Sequence, residues 1–137
     1  MSYLSIDVEL LESDETRPFW EHCAQQMLAF QTCQDCGHTT HPPIAICPHC
    51  QSPKRGWREA PAEARVFSFT WAHVVPEGSL TPYNVALIEF PALPGVRLVS
   101  NVVSTSCGEL RIGDTVELVW ESYQDRWIPR FRKLETT

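Results

Sequence analysis

Six cysteines stand in this sequence, and four of them form two close pairs. Cys33-Gln34-Asp35-Cys36 is followed by ten residues and then by Cys47-Pro48-His49-Cys50. A Cys-x-x-Cys pair turns tightly enough to aim two thiolates at one ion, and two such knuckles complete a closed tetrahedron of soft sulfur ligands. Gly37 follows the second cysteine, where a knuckle turn needs a positive φ. The spacing therefore predicts one zinc held by Cys33, Cys36, Cys47 and Cys50, ahead of a redox dithiol or a rubredoxin-like iron centre. Four sulfurs fill the shell and leave no position for water, so the metal is expected to be structural and not catalytic. His38 and His49 lie inside the knuckles but are not needed as ligands. Cys23 and Cys107 are left over and are expected to behave as small hydrophobes.

Catalytic chemistry is otherwise sparse. There is no Gly-x-Ser-x-Gly elbow, no phosphate-binding loop and no GxGxxG fingerprint. His22 and His73 come without a partner motif, and Cys107 has no visible base beside it. The chain is thus expected not to be an enzyme by itself. Lys54, Arg55 and Arg58 follow the second knuckle and form one basic segment. A second basic segment contains Arg126, Arg130, Arg132 and Lys133.

These residues must be positioned by the surrounding elements. Residues 1–15 are acidic and aperiodic, an arm that is mobile or laid against a partner. A short helix is predicted from about Pro18 to Gln25, with Thr16 as N-cap, Pro18 in the first turn and Glu21 near the positive end of the dipole. It carries Phe19, Trp20 and Cys23 on one side. So short a helix is unstable alone, so Phe19 and Trp20 are expected to meet another surface, and a partner chain is preferred. After the metal module the pattern alternates. Val66 to Val74 sets Phe67, Phe69 and Trp71 on one face, expected to fill a core. Asn84 to Phe90 places Ala86, Ile88 and Phe90 together, and Val96 to Val103, Thr115 to Tyr123 and Trp127 to Leu134 follow, with Pro129 marking an edge or bulge. Five short strands without a long helix between them predict a mainly β chain. Its order is an acidic arm over 1–15, a helix with a four-cysteine zinc ribbon over 16–60, and a five-stranded OB-fold over 61–137.

Composition limits what this arrangement does. In 137 residues, 43% hydrophobic and 20% charged, there is room for one ordinary domain or two small modules. No segment reaches the roughly 20 apolar residues of a membrane span, and the start lacks the regions of a signal peptide. A reducing, cytoplasmic setting follows, and it favours metal over disulfides. The formal charge of −6, from 11 basic and 17 acidic residues, weighs against phosphate-driven nucleic-acid binding.

The ordered set resembles a known family. Pro18-Phe19-Trp20-Glu21, Cys33-x-x-Cys36-Gly37, Pro42-Pro43 and Cys47-Pro48-x-Cys50 are followed by Phe69-Thr70, Pro82-Tyr83 and Ile112-Gly113-Asp114-x-Val116. The chain is similar to the acyl-CoA-associated domain-of-unknown-function proteins that join an N-terminal rubredoxin-like zinc ribbon to a C-terminal OB-fold. It departs from them at Glu59-Ala60-Pro61-Ala62-Glu63-Ala64, where members carry a Ser-Gly-x-Gly-like turn. The resemblance implies a non-catalytic subunit that completes the acyl or CoA site of a thiolase-fold acyltransferase, thiolase or aldolase in a hetero-oligomer, and at such a shared site the cations of Lys54, Arg55 and Arg58 are candidates to face the phosphates of a CoA ester. Two rivals are a single-stranded nucleic-acid binder, with Phe67, Phe69 and Trp71 as a stacking platform, and a stand-alone acyl-CoA-binding protein.

Overall fold

A computed structural model describes residues 12–73 and 82–135, so most of the acidic arm and the turn after β4 lie outside the described residues. One helix, α1 (Arg17–Ala24), precedes a ribbon sheet of β1 (Ala29–Cys33), β2 (Thr39–Thr40) and β3 (Arg55–Glu59) in the order β2-β1-β3. The barrel follows with β4 (Ala64–Ala72), β5 (Tyr83–Glu89), β6 (Arg97–Ser100), β7 (Val102–Val103), β8 (Thr115–Tyr123) and β9 (Arg126–Lys133). Its order is β6-β5-β4-β8-β9-β7. The third strand expected from sequence is broken at Asn101 into β6 and β7. The two pieces serve different neighbours, β6 pairing with β5 and β7 lying parallel on β9 through Val102 and Phe131. That break closes the five-stranded OB-fold.

Alternation decides most of the barrel. Asn84, Ala86 and Ile88 of β5 are buried while their neighbours are partly open, the period-2 signature of a one-sided core. In β4 the alternation slips. A bulge lies between Val66, which pairs with Ile88, and Ser68, which pairs with Leu87, so Phe67 is the extra residue. The expectation that Phe67, Phe69 and Trp71 share the core face is corrected accordingly. Phe67 turns outward, 37% exposed with Arg97 over its ring at 3.7 Å, whereas Phe69 and Trp71 pack against the core that Val66 begins. Between β8 and β9 the two residues Gln124 and Asp125 both take positive φ, 47° and 61°, as a two-residue hairpin turn requires. Pro129 falls where β9 has no β7 partner. There the Ser100 hydroxyl donates to its carbonyl at 2.8 Å.

One core runs through both halves. Phe30 of the ribbon meets Phe90 edge-to-face at 5.1 Å, and Phe90 meets Phe131 of β9 at 6.3 Å. All three rings are buried, each contributing roughly 1.5–3 kcal/mol by removal from water. Asn84, fully buried, clamps the break between β6 and β7: its Nδ2 donates to the Val102 carbonyl at 2.7 Å, and the Val102 amide returns to its Oδ1 at 2.8 Å. The helix start differs from expectation. Thr16 makes no capping bond; its hydroxyl takes the Ser13 amide at 2.8 Å in the turn before the helix, and Glu21 lies beyond the first turn. No helix among the described residues is long and apolar enough to cross a membrane.

Candidate metal centre and the surfaces around it

The two knuckles face each other, one after β1 and one ahead of β3. Cys33 closes β1, and after Cys36 the chain reverses through Gly37 at φ +78°, whose amide donates to the Cys33 carbonyl at 2.9 Å. The second knuckle repeats this turn with Gln51 at φ 66° and its amide on the Cys47 carbonyl at 2.8 Å. Glycine marks the first positive φ in the sequence, but nothing there signals the second. Amides of Cys36 and His49 point at the Cys33 and Cys47 sulfurs, both at 3.4 Å, so the backbone itself favours thiolate.

The four sulfurs lie within 4.8 Å of one another, with Cys33 to Cys50 at 3.5 Å and Cys36 to Cys47 at 3.6 Å. Zinc with sulfur ligands at about 2.3 Å requires sulfur–sulfur edges of roughly 3.8 Å, so the donor set fits the ion. The thiols do not titrate alike. The amide of Cys36 leads in holding Cys33 down to about 6. Burial pushes Cys47 up, but the amides of Cys50 and His49 outweigh it and lower it overall. At Cys50 the Ser52 amide pulls down, yet burial and three neighbouring sulfurs push the thiol up to about 12. Four anions cannot share this space by themselves, and a divalent cation is what allows all of them to lose their protons. The chain holds one structural zinc here.

Residues not singled out from sequence tie the centre together. Asp35 of the first knuckle accepts from the Ser52 hydroxyl at 2.5 Å, and the same hydroxyl takes the Lys54 amide at 3.0 Å. Gln31 organises the loop between knuckles, its Oε1 accepting from the Ile44 amide, Thr40 and Arg55 at 2.8, 3.1 and 2.8 Å. His38 and His49 stack at 5.5 Å. A glutamine on an apolar strand was the only sequence signal for the Gln31 hub.

The three candidate phosphate contacts are not brought together. Arg55 turns into the ribbon, its Nη2 donating to Gln31 and to Thr40 at 2.7 Å, with Nε and Nη1 buried. Arg58, three residues on and opposite Phe30 in register, falls on the other face of β3, where it lines a small hollow with His38 and Leu93. Lys54 is exposed. Of the two aromatic residues expected at a partner, Phe19 is corrected: it is 6% exposed, packing on His41 at 5.4 Å inside this chain's own core, because α1 fills the angle between ribbon and barrel. Trp20 stays half-buried at the surface, with Arg126 5.9 Å over its ring. Cys23 is buried, its thiol pushed up to about 12, and Cys107 is exposed. His22 bonds the Pro18 carbonyl at 2.7 Å.

Comparison with known proteins places this arrangement. Residues 20–54 match the family model "ChsH2, rubredoxin-like zinc ribbon domain" and residues 57–121 match "ChsH2, C-terminal OB-fold domain". Over 117 residues the chain is 38% identical to the "Probable enoyl-CoA hydratase alpha subunit" of Thermomonospora curvata, matching 83% of this chain but spanning 36% of that relative. It is 28% identical to the "DUF35 domain-containing scaffold protein" of Methanothermobacter thermautotrophicus, over 81% of this chain and 85% of that protein. Among solved structures it superposes on a chain of the Ltp2-ChsH2(DUF35) aldolase with a TM-score of 0.84 and 33% identity, covering 91% of this chain and 98% of that one. A DUF35-family protein of unknown function from Sulfolobus solfataricus gives a TM-score of 0.64 at 25% identity, covering 88% and 85%. With both modules matched in order and the four thiolates assembled as that ribbon requires, this chain belongs to the ChsH2-type DUF35 family.

Proposed function

We propose that the chain is a non-catalytic accessory subunit that binds a thiolase-fold enzyme and completes its acyl or CoA site. The observation that carries the reading is its likeness, over nearly the whole length of both chains, to a chain of the Ltp2-ChsH2(DUF35) aldolase. The scaffold name of the archaeal relative points the same way. The hydratase name of the other relative belongs to a protein of which this chain spans 36%. A tetrathiolate centre supports the reading, since a filled shell offers no open position to a substrate. Arg58, exposed and on the barrel side of β3, is the cation best placed to meet CoA phosphates.

The test is co-purification of the tagged full chain from its native host, with mass spectrometric identification of retained proteins, followed by reconstitution with CoA esters. A thiolase-fold enzyme is expected in stoichiometric amount, and Arg58→Glu is expected to raise KM for the CoA ester while leaving pantetheine-truncated substrate unchanged. Retention of no acyl-CoA enzyme would sink the proposal. Against nucleic acid stand the acidic balance and the division of the aromatic rings, Phe67 outward under Arg97 and the other two inward.

A further inference from the structure

Two concavities meet at one side chain. The first, about 480 Å³, lies between α1, the His41-Pro42-Pro43 turn and the barrel, over Leu98 and Val99 of β6 and Ile128 and Pro129 of β9. It is mainly apolar, and Val99, 63% exposed, is among its lining residues. The second, about 370 Å³, lies between α1 and the β8–β9 hairpin, where Glu12, Glu21 and Asp125 surround Trp127 and Arg126. Trp20 belongs to both.

Charge separates the two. Arg126, the one cation among the described residues lining the second concavity, is held by Glu12 at 2.7 Å, and Glu12 also takes Arg17 at 3.4 Å. The Arg126 guanidinium, first among the causes, keeps the Glu12 carboxyl below its usual range. Glu21 and Asp125 are exposed and form no ion pair among the described residues. Trp20 thus stands between an apolar groove and a site with two uncompensated carboxylates and a second indole ring, that of Trp127.

We propose that the two concavities, on either side of Trp20, together dock an extended or helical segment of a partner protein that carries apolar side chains followed by lysine or arginine. The apolar side chains fill the groove over Val99, where their removal from water drives binding. The cation lies against Trp127, beside the Trp20 ring that Arg126 already covers, attracted by the Trp127 ring face and by Glu21 and Asp125. An acidic segment or a nucleic-acid strand meets repulsion from the same carboxylates. The inference rests on the accessory-subunit reading only in that it gives the docking segment of the enzyme its chemistry.

The test uses the zinc-loaded full chain and three probe peptides: Leu-Leu-Val-Lys-Arg-Lys, the same peptide with glutamates for its cations, and Ser-Ser-Ser-Lys-Arg-Lys. In NMR titrations the first is expected to shift the indole signals of Trp20 and Trp127 and to bind at least about tenfold more tightly than the other two. Glu21→Gln with Asp125→Asn, the latter keeping a side chain that tolerates the positive φ of the turn, should erase the preference over the glutamate peptide and its sensitivity to salt, Val99→Asp should weaken binding at any salt, and Glu63→Lys, outside both concavities, should change nothing. All of these sites are exposed, so unchanged zinc content and Tm are expected and would be measured. Equal binding of the three peptides, or preference for the glutamate peptide or a single-stranded oligonucleotide, overturns the proposal. If an enzyme co-purifies and is indifferent to these substitutions, the docking surface is refuted while the accessory role stands; if none co-purifies but the peptides discriminate, the docking surface stands and the accessory role falls.

Discussion

The ribbon and the barrel become rigid by different means. The ribbon has three strands, the longest of five residues, and its loop between knuckles is held by one glutamine and four thiolates. The barrel closes six strands around an apolar interior in which Val66, Ile88 and Val102 are fully buried. The ribbon cannot bury enough surface to fold alone, so metal binding supplies what its core lacks. The two meet in the ring series Phe30, Phe90 and Phe131, so neither is a free-standing bead. A small module can thus take its local order from an ion and its placement from a neighbour's core.

The contrast between ribbon and barrel is broken most severely at the metal. Cys47→Ser, or chelation, should unfold the ribbon, because structural zinc contributes roughly 10–16 kcal/mol of apparent binding energy that is also folding energy. Elemental analysis with thermal melts would show loss of the ion and an early transition, with the barrel melting separately or following it. A Cys47→Ser chain that keeps its zinc and its Tm would refute the assignment. Next comes the junction: Phe90→Ala should cost about 3–5 kcal/mol by chemical denaturation and lower both halves together while zinc stays bound. If only the barrel is weakened, the shared core is not the link.

A smaller effect lies in pH. His41 packs against Phe19 and Phe30 at 5.4 and 5.3 Å, and burial pushes its imidazole down to about 4. The unfolded chain binds this proton near pH 6.5 and the folded chain does not, so the contribution is complete above that pH and is lost as pH falls toward 4, by at most about 3 kcal/mol. Wild type and His41→Phe compared by denaturation across this window, with zinc content followed in parallel, should differ in slope; equal slopes would reject it. The smallest expected change is Gly37→Ala, about 1 kcal/mol of strain at positive φ, since no atom lies within 4 Å of the added methyl group.

What the amino-acid sequence determines by itself is whatever depends on short range. Two knuckles need four cysteines at fixed spacing, and Ala86, Ile88 and Phe90 show their face by alternation, so metal, ribbon and barrel were legible. Tertiary structure alone decided matters that hinge on one residue or on distant partners. The bulge at Phe67 moves one ring across the sheet without changing the pattern of residue types. Arg55 and Arg58 look equivalent in the chain, but β3 sends one into the ribbon and the other toward the barrel because an odd number of steps along a strand changes face. Phe19 and Trp20 are adjacent on one short helix, yet only the angle between ribbon and barrel determined which was enclosed and which was left between an apolar groove and two uncompensated carboxylates.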